Sequence, residues 1–302
     1  MGKRFDEARR LLEATYGILP AMRAWCLVLI AACGRIDFQP GDAACQLGPW
    51  SVPEWLAELN ADGDDQGPVL TADGLTIYYH STRAGSQASD LYTAMRRSPT
   101  GRFGVPVALT ALATATHDRD PALAHGGDHL YFSSDRQTPG MDSLFVTTRT
   151  GDAFSTPALL AGIGPGAYGP FVSDDETELF YTAAGHLGRA IRPAPAGAWT
   201  DLGPIAELMS PTAIDGYPSL TGDGLTMVFE TSRRQPVGVF SAVRSSRDAA
   251  FSDATPVVEL NLDGFGSGDP AISLDGRTII FASDRPGGAG YDDLYESTRT
   301  CQ

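Results

Sequence analysis

Acidic and tyrosine side chains recur just before regularly spaced prolines in this chain of 302 residues. The candidate ligand-binding residues at these places are Asp65, Asp118, Asp120, Tyr168, Asp215, Tyr217 and Asp269. If the fold brings them together, they form an acidic, partly aromatic surface that suits a cation, a sugar or a basic peptide. The alternative interpretation is that loop aspartates cap turns and solvate the surface.

The prolines that follow these residues mark five copies of one unit. They recur about every 50 residues, at Pro68, Pro121, Pro170, Pro218 and Pro270. Each copy contains a short strand, a two-residue turn such as Asp223-Gly224, a strongly apolar second strand and a third strand. Between copies lies a fourth element with an aromatic residue and a proline, which is typical of an edge strand.

The two ends of the chain hold complementary parts of one blade. Residues 268–300 contain three strands without a fourth, and a fourth-strand sequence occurs near the N-terminus around Trp50. We therefore predict an all-β, five-bladed β-propeller of four-stranded blades, in which the N-terminal strand joins the C-terminal blade. Closing the ring removes the free strand edges that promote aggregation. The predicted propeller covers residues 45–302, and we expect a monomer.

The copies resemble the WD40-like (PD40) β-propeller repeat of the TolB type, whose hallmark is P-x-[FLI]-S-x-D-G-x-x-[IL]-x-F-x-S-[DN]-R. Residues 270–285 match it closely, from Pro270 through Asp275-Gly276 to Arg285. The resemblance implies a propeller and a location in the cell envelope. It does not imply the role of TolB itself, because one propeller scaffold carries many activities and the chain has no room for the additional domain and sixth blade of TolB.

An arginine follows the second strand in four of the five copies. These residues are Arg83, Arg136, Arg233 and Arg285. We predict a structural role for them, in which each pairs with a nearby aspartate such as Asp284 or Asp292 and fixes its loop.

The aligned repeats place no carboxylate at the innermost strand positions, which are Val69, Ala122, Phe171, Ser219 and Ala271. Glycoside hydrolysis needs two carboxyl groups, one of them with a raised pKa. The five histidines show neither an HExxH motif nor a paired metal-ligand spacing. We therefore expect a protein that is not an enzyme and that has no metal or other cofactor.

The N-terminal residues predict export. Arg23 precedes a short apolar run that is too short to span a bilayer and ends in Ile30-Ala31-Ala32-Cys33. This ending resembles the lipobox of bacterial lipoproteins and implies lipidation of Cys33. We predict a leader and signal peptide at residues 1–33 and a tether at 34–44, with either Met1 or Met22 as the start. A buried apolar strand that ends in cysteine is the alternative.

Gly34 after the lipobox cysteine favours the outer membrane, facing either the periplasm or the surface. The remaining cysteines, Cys45 and Cys301, flank the predicted point of ring closure. In an oxidising envelope they predict a disulfide, with two free thiols as the alternative.

These observations favour a non-enzymatic envelope lipoprotein that binds a protein or glycan at its acidic face. The net charge of −15 argues against nucleic acid as a partner, so the predicted membrane contact is through the lipid anchor. One alternative is a glycoside-active enzyme that uses loop carboxylates such as Asp120 and Asp269. A second alternative is a purely structural module.

Overall fold

The computed structural model describes residues 46–302, apart from Gln87, Asp152 and the side chain of His125. The chain divides after Cys45, and the predicted signal peptide, lipobox and tether lie outside the described residues. Two single-turn 3₁₀ helices, His125–Gly127 and Ala206–Leu208, interrupt a part of the chain that otherwise consists of strands and loops. None of the helices described here is long and apolar enough to cross a bilayer.

The described residues form five antiparallel sheets of short strands. In chain order the strands are β1 (Glu54–Trp55), β2 (Asp65–Leu70), β3 (Thr76–Ser81), β4 (Asp90–Met95), β5 (Val107–Ala108), β6 (Asp118–Ala124), β7 (His129–Ser134), β8 (Ser143–Thr150), β9 (Ala153–Phe154), β10 (Ala158–Leu159), β11 (Ala167–Val172), β12 (Glu178–Ala183), β13 (His186–Ile191), β14 (Thr200–Pro204), β15 (Asp215–Leu220), β16 (Thr226–Thr231), β17 (Gly238–Val243), β18 (Thr255–Pro256), β19 (Gly268–Ile272), β20 (Thr278–Ser283) and β21 (Asp293–Thr298).

Each sheet is one blade, and the blades form a ring. Blade one is β2 to β5, blade two is β6, β7, β8 and β10 with β9 beside β8, blade three is β11 to β14, and blade four is β15 to β18. Blade five is β19, β20 and β21 with β1 as its outer strand. The innermost strands β2, β6, β11, β15 and β19 contact one another in sequence, and β19 contacts β2. The predicted five-bladed propeller is confirmed.

The N-terminal strand completes the last blade, as predicted. Glu54 lies opposite Glu296, and the backbone N–H of Ser51 donates to the carbonyl oxygen of Thr298 at 2.8 Å. Leu47 forms a further bridge with Cys301. Cys45 lies outside the described residues, so its disulfide with Cys301 stays a prediction.

The second strand of each blade supplies the core. Its central aromatic side chain is almost fully buried in all five blades, at Tyr79, Phe132, Phe180, Phe229 and Phe281. A blade is covered on both faces by its neighbours, so this strand can be apolar on both sides. Rigid blade-to-blade packing fixes the inner strands around the central channel.

Candidate functional site

Each innermost strand contains a β-bulge at the residue that precedes the repeated proline. This residue adopts a left-handed backbone conformation in every blade, with φ of 59° at Gly67, 51° at Asp120, 56° at Gly169, 52° at Tyr217 and 47° at Asp269. Glycine adopts such angles freely, whereas a residue with a side chain is strained by on the order of 1 kcal/mol or more. In three of the five blades the strained position carries a polar side chain that lines the channel, at Asp120, Tyr217 and Asp269.

In four blades, a side chain of the preceding blade holds the bulge through a hydrogen bond. The acceptor is a side chain at one register position of the second strand, and the donor is the backbone N–H of the bulged residue in the following blade. His80 Nδ1 accepts from Asp120 at 3.2 Å, Ser133 Oγ from Gly169 at 2.9 Å, Thr182 Oγ1 from Tyr217 at 2.9 Å, and Glu230 Oε2 from Asp269 at 3.4 Å.

Blade five breaks this pattern because its register position is occupied by Ala282, opposite Gly268. Alanine has no acceptor for the N–H of Gly67. Asp269 Oδ2 accepts that hydrogen bond instead, at 3.3 Å. The carboxylate of Asp269 is therefore held across the junction between blades five and one.

The bulged residues line a central cavity of about 90 Å³. The wall continues along the inner strands through Val69, Ala122, Phe171, Ser219 and Ala271, the positions expected from the repeats. Asp120 and Asp269 also line the cavity and belong to the innermost strands β6 and β19. They are strand residues, so their assignment to loops was wrong.

Asp120 is a buried carboxylate without a hydrogen-bond partner. Its side chain is 5% exposed, and neither oxygen forms a hydrogen bond in the described part of the protein. His80 Nδ1 lies 3.6 Å from Oδ1, and burial lowers the pKa of that imidazole to about 3, which keeps it neutral. Burial raises the pKa of Asp120, and the positive charge of Arg119 opposes this shift.

Glu230 and Asp120 carry negative charges close enough to Asp269 to raise its pKa. Burial raises the pKa of Glu230 to about 7. Burial, and then the charge of Glu230, raise the pKa of Asp269 well above its usual value. Glycine makes room for Glu230, because a Cβ at Gly268 would lie 2.2 Å from Oε2. Three carboxyl groups thus compete for protons in one small space.

Two tyrosines complete the site. The rings of Tyr168 and Tyr217 meet edge to face, with centroids 5.5 Å apart. Burial raises the pKa of both phenols, so they stay protonated at neutral pH. Their neutral rings provide faces suited to a sugar or a cation.

The other predicted ligand residues lie away from this cavity. Asp65, Asp118 and Asp215 are buried and paired with the loop arginines Arg83, Arg136 and Arg233, with nitrogen to oxygen distances of 2.5 Å, 2.6 Å and 3.0 Å. The structure therefore splits the predicted set into Asp120, Tyr217 and Asp269 at the cavity, with Tyr168 packed against Tyr217, and three aspartates bound within their own blades.

The loop arginines use these aspartates as partners, in place of the expected Asp284 and Asp292. In blade five, Arg285 donates to Ser267 Oγ at 3.1 Å, since serine replaces the aspartate there. Each arginine also donates to the carbonyl oxygen of a buried leucine and lies over an aromatic ring of its own blade.

Glu230 and His80 were not among the site residues predicted from the sequence. At the register position of the second strand the five blades carry His80, Ser133, Thr182, Glu230 and Ala282. An acidic residue within the most apolar strand of a repeat could have indicated Glu230. Burying a carboxylate without a partner costs folding free energy, so such a residue points to a specific role. Among the side chains that the structure describes, no group of three histidine, cysteine or acidic residues is arranged to hold a metal ion.

Comparison with known proteins identifies the fold. No protein-family model and no curated protein sequence matches the chain. The GH62 α-L-arabinofuranosidase catalytic domain of Coprinopsis cinerea is 12% identical, with a TM-score of 0.56 over 83% of this chain and 97% of that one. A thermostable family-43 glycoside hydrolase is 12% identical, with a TM-score of 0.54 over 82% and 92%. TolB from Acinetobacter baumannii is 14% identical, with a TM-score of 0.49 over 79% of this chain and 55% of that one.

The prediction of a non-enzymatic protein is wrong, and two findings correct it. The prediction assumed innermost strands without carboxylates, whereas Asp120 and Asp269 lie on these strands and line the cavity. In addition, several solved structures of the same fold are glycoside hydrolases.

Proposed function

We propose that this protein cleaves a glycosidic bond in an envelope glycan at the central cavity. The observation that carries the proposal is a set of three neighbouring carboxyl groups: Asp120 and Asp269 line the cavity, and Glu230 accepts the backbone N–H of Asp269 at 3.4 Å. Glycoside hydrolysis needs one carboxylic acid that is protonated near neutral pH and one that is ionised. The scaffold, which glycoside hydrolases also use, supports the same proposal.

Glu230 is the proposed general acid. Its pKa of about 7 leaves a large protonated fraction at neutral pH. Asp120 is the proposed base, because the positive charge of the adjacent Arg119, together with the Ser133 hydroxyl and the Gly169 N–H, favours its ionised form.

The reaction uses these two roles in turn. Glu230 donates its proton to the glycosidic oxygen as the bond to the anomeric carbon breaks. A water molecule attacks that carbon, and Asp120 accepts the proton that the water loses. The products are the two sugar fragments. Loss of the proton from Asp120 to solvent and uptake of one by Glu230 restore both groups.

A panel of aryl glycosides tests this proposal. We expect the wild-type protein to release the aryl group from at least one glycoside, and Asp120→Asn and Glu230→Gln to reduce kcat by about 100-fold or more. Asp263→Asn is the matched control, because Asp263 is a solvent-exposed carboxylate. Absence of hydrolysis across the panel, or full activity of both site variants, would refute the proposal.

Export and lipidation remain part of the proposal. They are supported by the Ile30 to Cys33 sequence and would place the cavity among envelope glycans. Membrane fractionation of wild type and Cys33→Ala tests the anchor. We expect the variant to leave the membrane fraction, and unchanged fractionation would exclude lipidation at Cys33.

A further inference from the structure

The site contains three carboxyl groups, one more than the proposed reaction uses. Hydrolysis employs an acid and a base, assigned above to Glu230 and Asp120, and Asp269 is left over. An inference about Asp269 rests on that proposed function and concerns the charge of its substrate.

Asp269 has no positive partner among the described residues. It is 8% exposed, and its hydrogen bond comes from the backbone N–H of Gly67 at 3.3 Å. Arg119, the cationic neighbour of Asp120, is already bound to Asp142 at 2.6 Å. Without a cation, a buried carboxyl group favours its protonated form, and an incoming positive charge can displace that proton and pair with the carboxylate.

Two further observations point to a ligand of this kind. Both oxygens of Asp120 are buried and have no hydrogen-bond partner among the described residues, so the same cavity holds unused acceptors. Tyr217 lines the same cavity and packs edge to face against Tyr168, and aromatic faces attract ammonium groups. The net charge of −15 also concentrates cations near the protein.

We infer that the substrate is an amino sugar glycoside whose protonated amine binds at Asp269 beside the Tyr168–Tyr217 pair. An ammonium group donates three hydrogen bonds. It therefore has enough donors for Asp269 and for one oxygen of Asp120, whose other oxygen stays available to accept the proton of the attacking water. Acetylation of the amine removes its charge and two of its donors, and so removes the basis of recognition.

Calorimetric titration of the full-length protein tests this inference independently of catalysis. The probes are the methyl glycosides of glucosamine and galactosamine at about pH 6, each compared with its N-acetylated twin. We expect at least one amine to bind about tenfold more tightly than its acetylated twin. Equal affinities within both pairs, or no binding of either amine, would overturn the inference.

Asp269→Asn identifies the group that recognises the charge. Asparagine keeps an acceptor for Gly67 and tolerates the left-handed backbone. We expect this variant to lose the preference for the amine while its melting temperature shows that it is folded. A retained tenfold preference would overturn the assignment to Asp269. If the amine binds but no glycoside is hydrolysed, the proposed function alone is refuted. If glycosides are hydrolysed but the amine and its acetylated twin bind with equal affinity, this inference alone is refuted.

Discussion

The backbone N–H of Asp269 donates to Oε2 of Glu230 at 3.4 Å, across the boundary between blades four and five. At the equivalent places in blades one to three the acceptor is the neutral side chain of His80, Ser133 or Thr182. A hydrogen bond between two blades therefore also fixes the carboxyl group of Glu230 next to Asp269, which lines the cavity. Stability and site chemistry are coupled at Glu230.

Glu230 makes the stability of the fold depend on pH. Its pKa is raised from 4.5 to about 7 in the folded protein, so the folded state binds the proton more tightly than the unfolded chain. The associated stabilisation is complete below about pH 4.5 and is lost as the pH rises through about 7, by up to about 3 kcal/mol. Asp120 and Asp269, whose pKa values are also raised, act in the same direction.

Urea unfolding of wild type and Glu230→Gln at about pH 5 and about pH 8 measures this effect. Glutamine keeps a carbonyl acceptor for the N–H of Asp269 and stays neutral. We expect the stability of the variant relative to wild type to increase at the higher pH. An equal difference between the two proteins at both pH values would contradict the prediction, and exposed Asp263→Asn serves as the control.

The side chain of Glu230 occupies the space where a side chain at position 268 would lie. A Cβ at this position would lie 2.2 Å from Oε2, and the backbone angles of Gly268 are otherwise open to alanine. We expect Gly268→Ala to displace Glu230, to destabilise the protein by about 1–3 kcal/mol and to remove glycoside hydrolysis. Gly266→Ala is the matched control, because a Cβ there meets no atom closer than 3.6 Å. Equal behaviour of the two variants would show that Gly268 does not position Glu230.

Thr182→Val tests the hydrogen bonds between blades. Valine has nearly the shape of threonine and leaves the N–H of Tyr217 without its acceptor at 2.9 Å. An unpaired buried donor costs about 1–3 kcal/mol, so unfolding should occur at lower urea concentration. Thr200→Val, at an exposed strand position, should change the unfolding free energy by less than about 0.5 kcal/mol. A Thr182→Val protein as stable as wild type would remove the proposed role of this hydrogen bond.

Arg136 contributes to stability through a buried ion pair. Its Nη2 lies 2.6 Å from Asp118, whose side chain is fully buried, and donates to the carbonyl oxygen of Leu112 at 2.9 Å. Arg136→Ala leaves the carboxylate unpaired, which we expect to cost about 3–5 kcal/mol. In contrast, Arg102→Ala removes an exposed pair with Glu58 and should cost less than about 1 kcal/mol. Similar denaturation midpoints for the two variants would argue against a structural role for Arg136.

The predicted disulfide between Cys45 and Cys301 would close the ring covalently. The neighbouring backbone already pairs, because Gln302 N–H donates to the carbonyl oxygen of Gln46 at 2.9 Å. By loop entropy the bond is worth up to about 5 kcal/mol, so Cys301→Ser should unfold at lower temperature. Mass spectrometry under non-reducing conditions gives the direct result, and two free thiols in exported protein would exclude the bond.

Repetition made the fold predictable. Strand sequences of one pattern, repeated five times with one copy divided between the chain ends, fix the number of blades and the place of closure. The cavity was harder to predict, because a β-bulge shifts which side chains face inward. Asp120 and Asp269 were named from the sequence, but as loop residues, and Glu230 was hidden in an apolar strand.

The sequence by itself determined the propeller, because hydrophobic pattern and turn residues act locally within each repeat. Only the tertiary structure decided which acidic residues share a site. Asp118 and Asp120 are two residues apart, yet Asp118 is bound by Arg136 within its blade, whereas Asp120 lines the cavity together with Asp269 of blade five. Charge pairing and burial depend on the contacts between blades, and the order of residues along the chain does not reveal them.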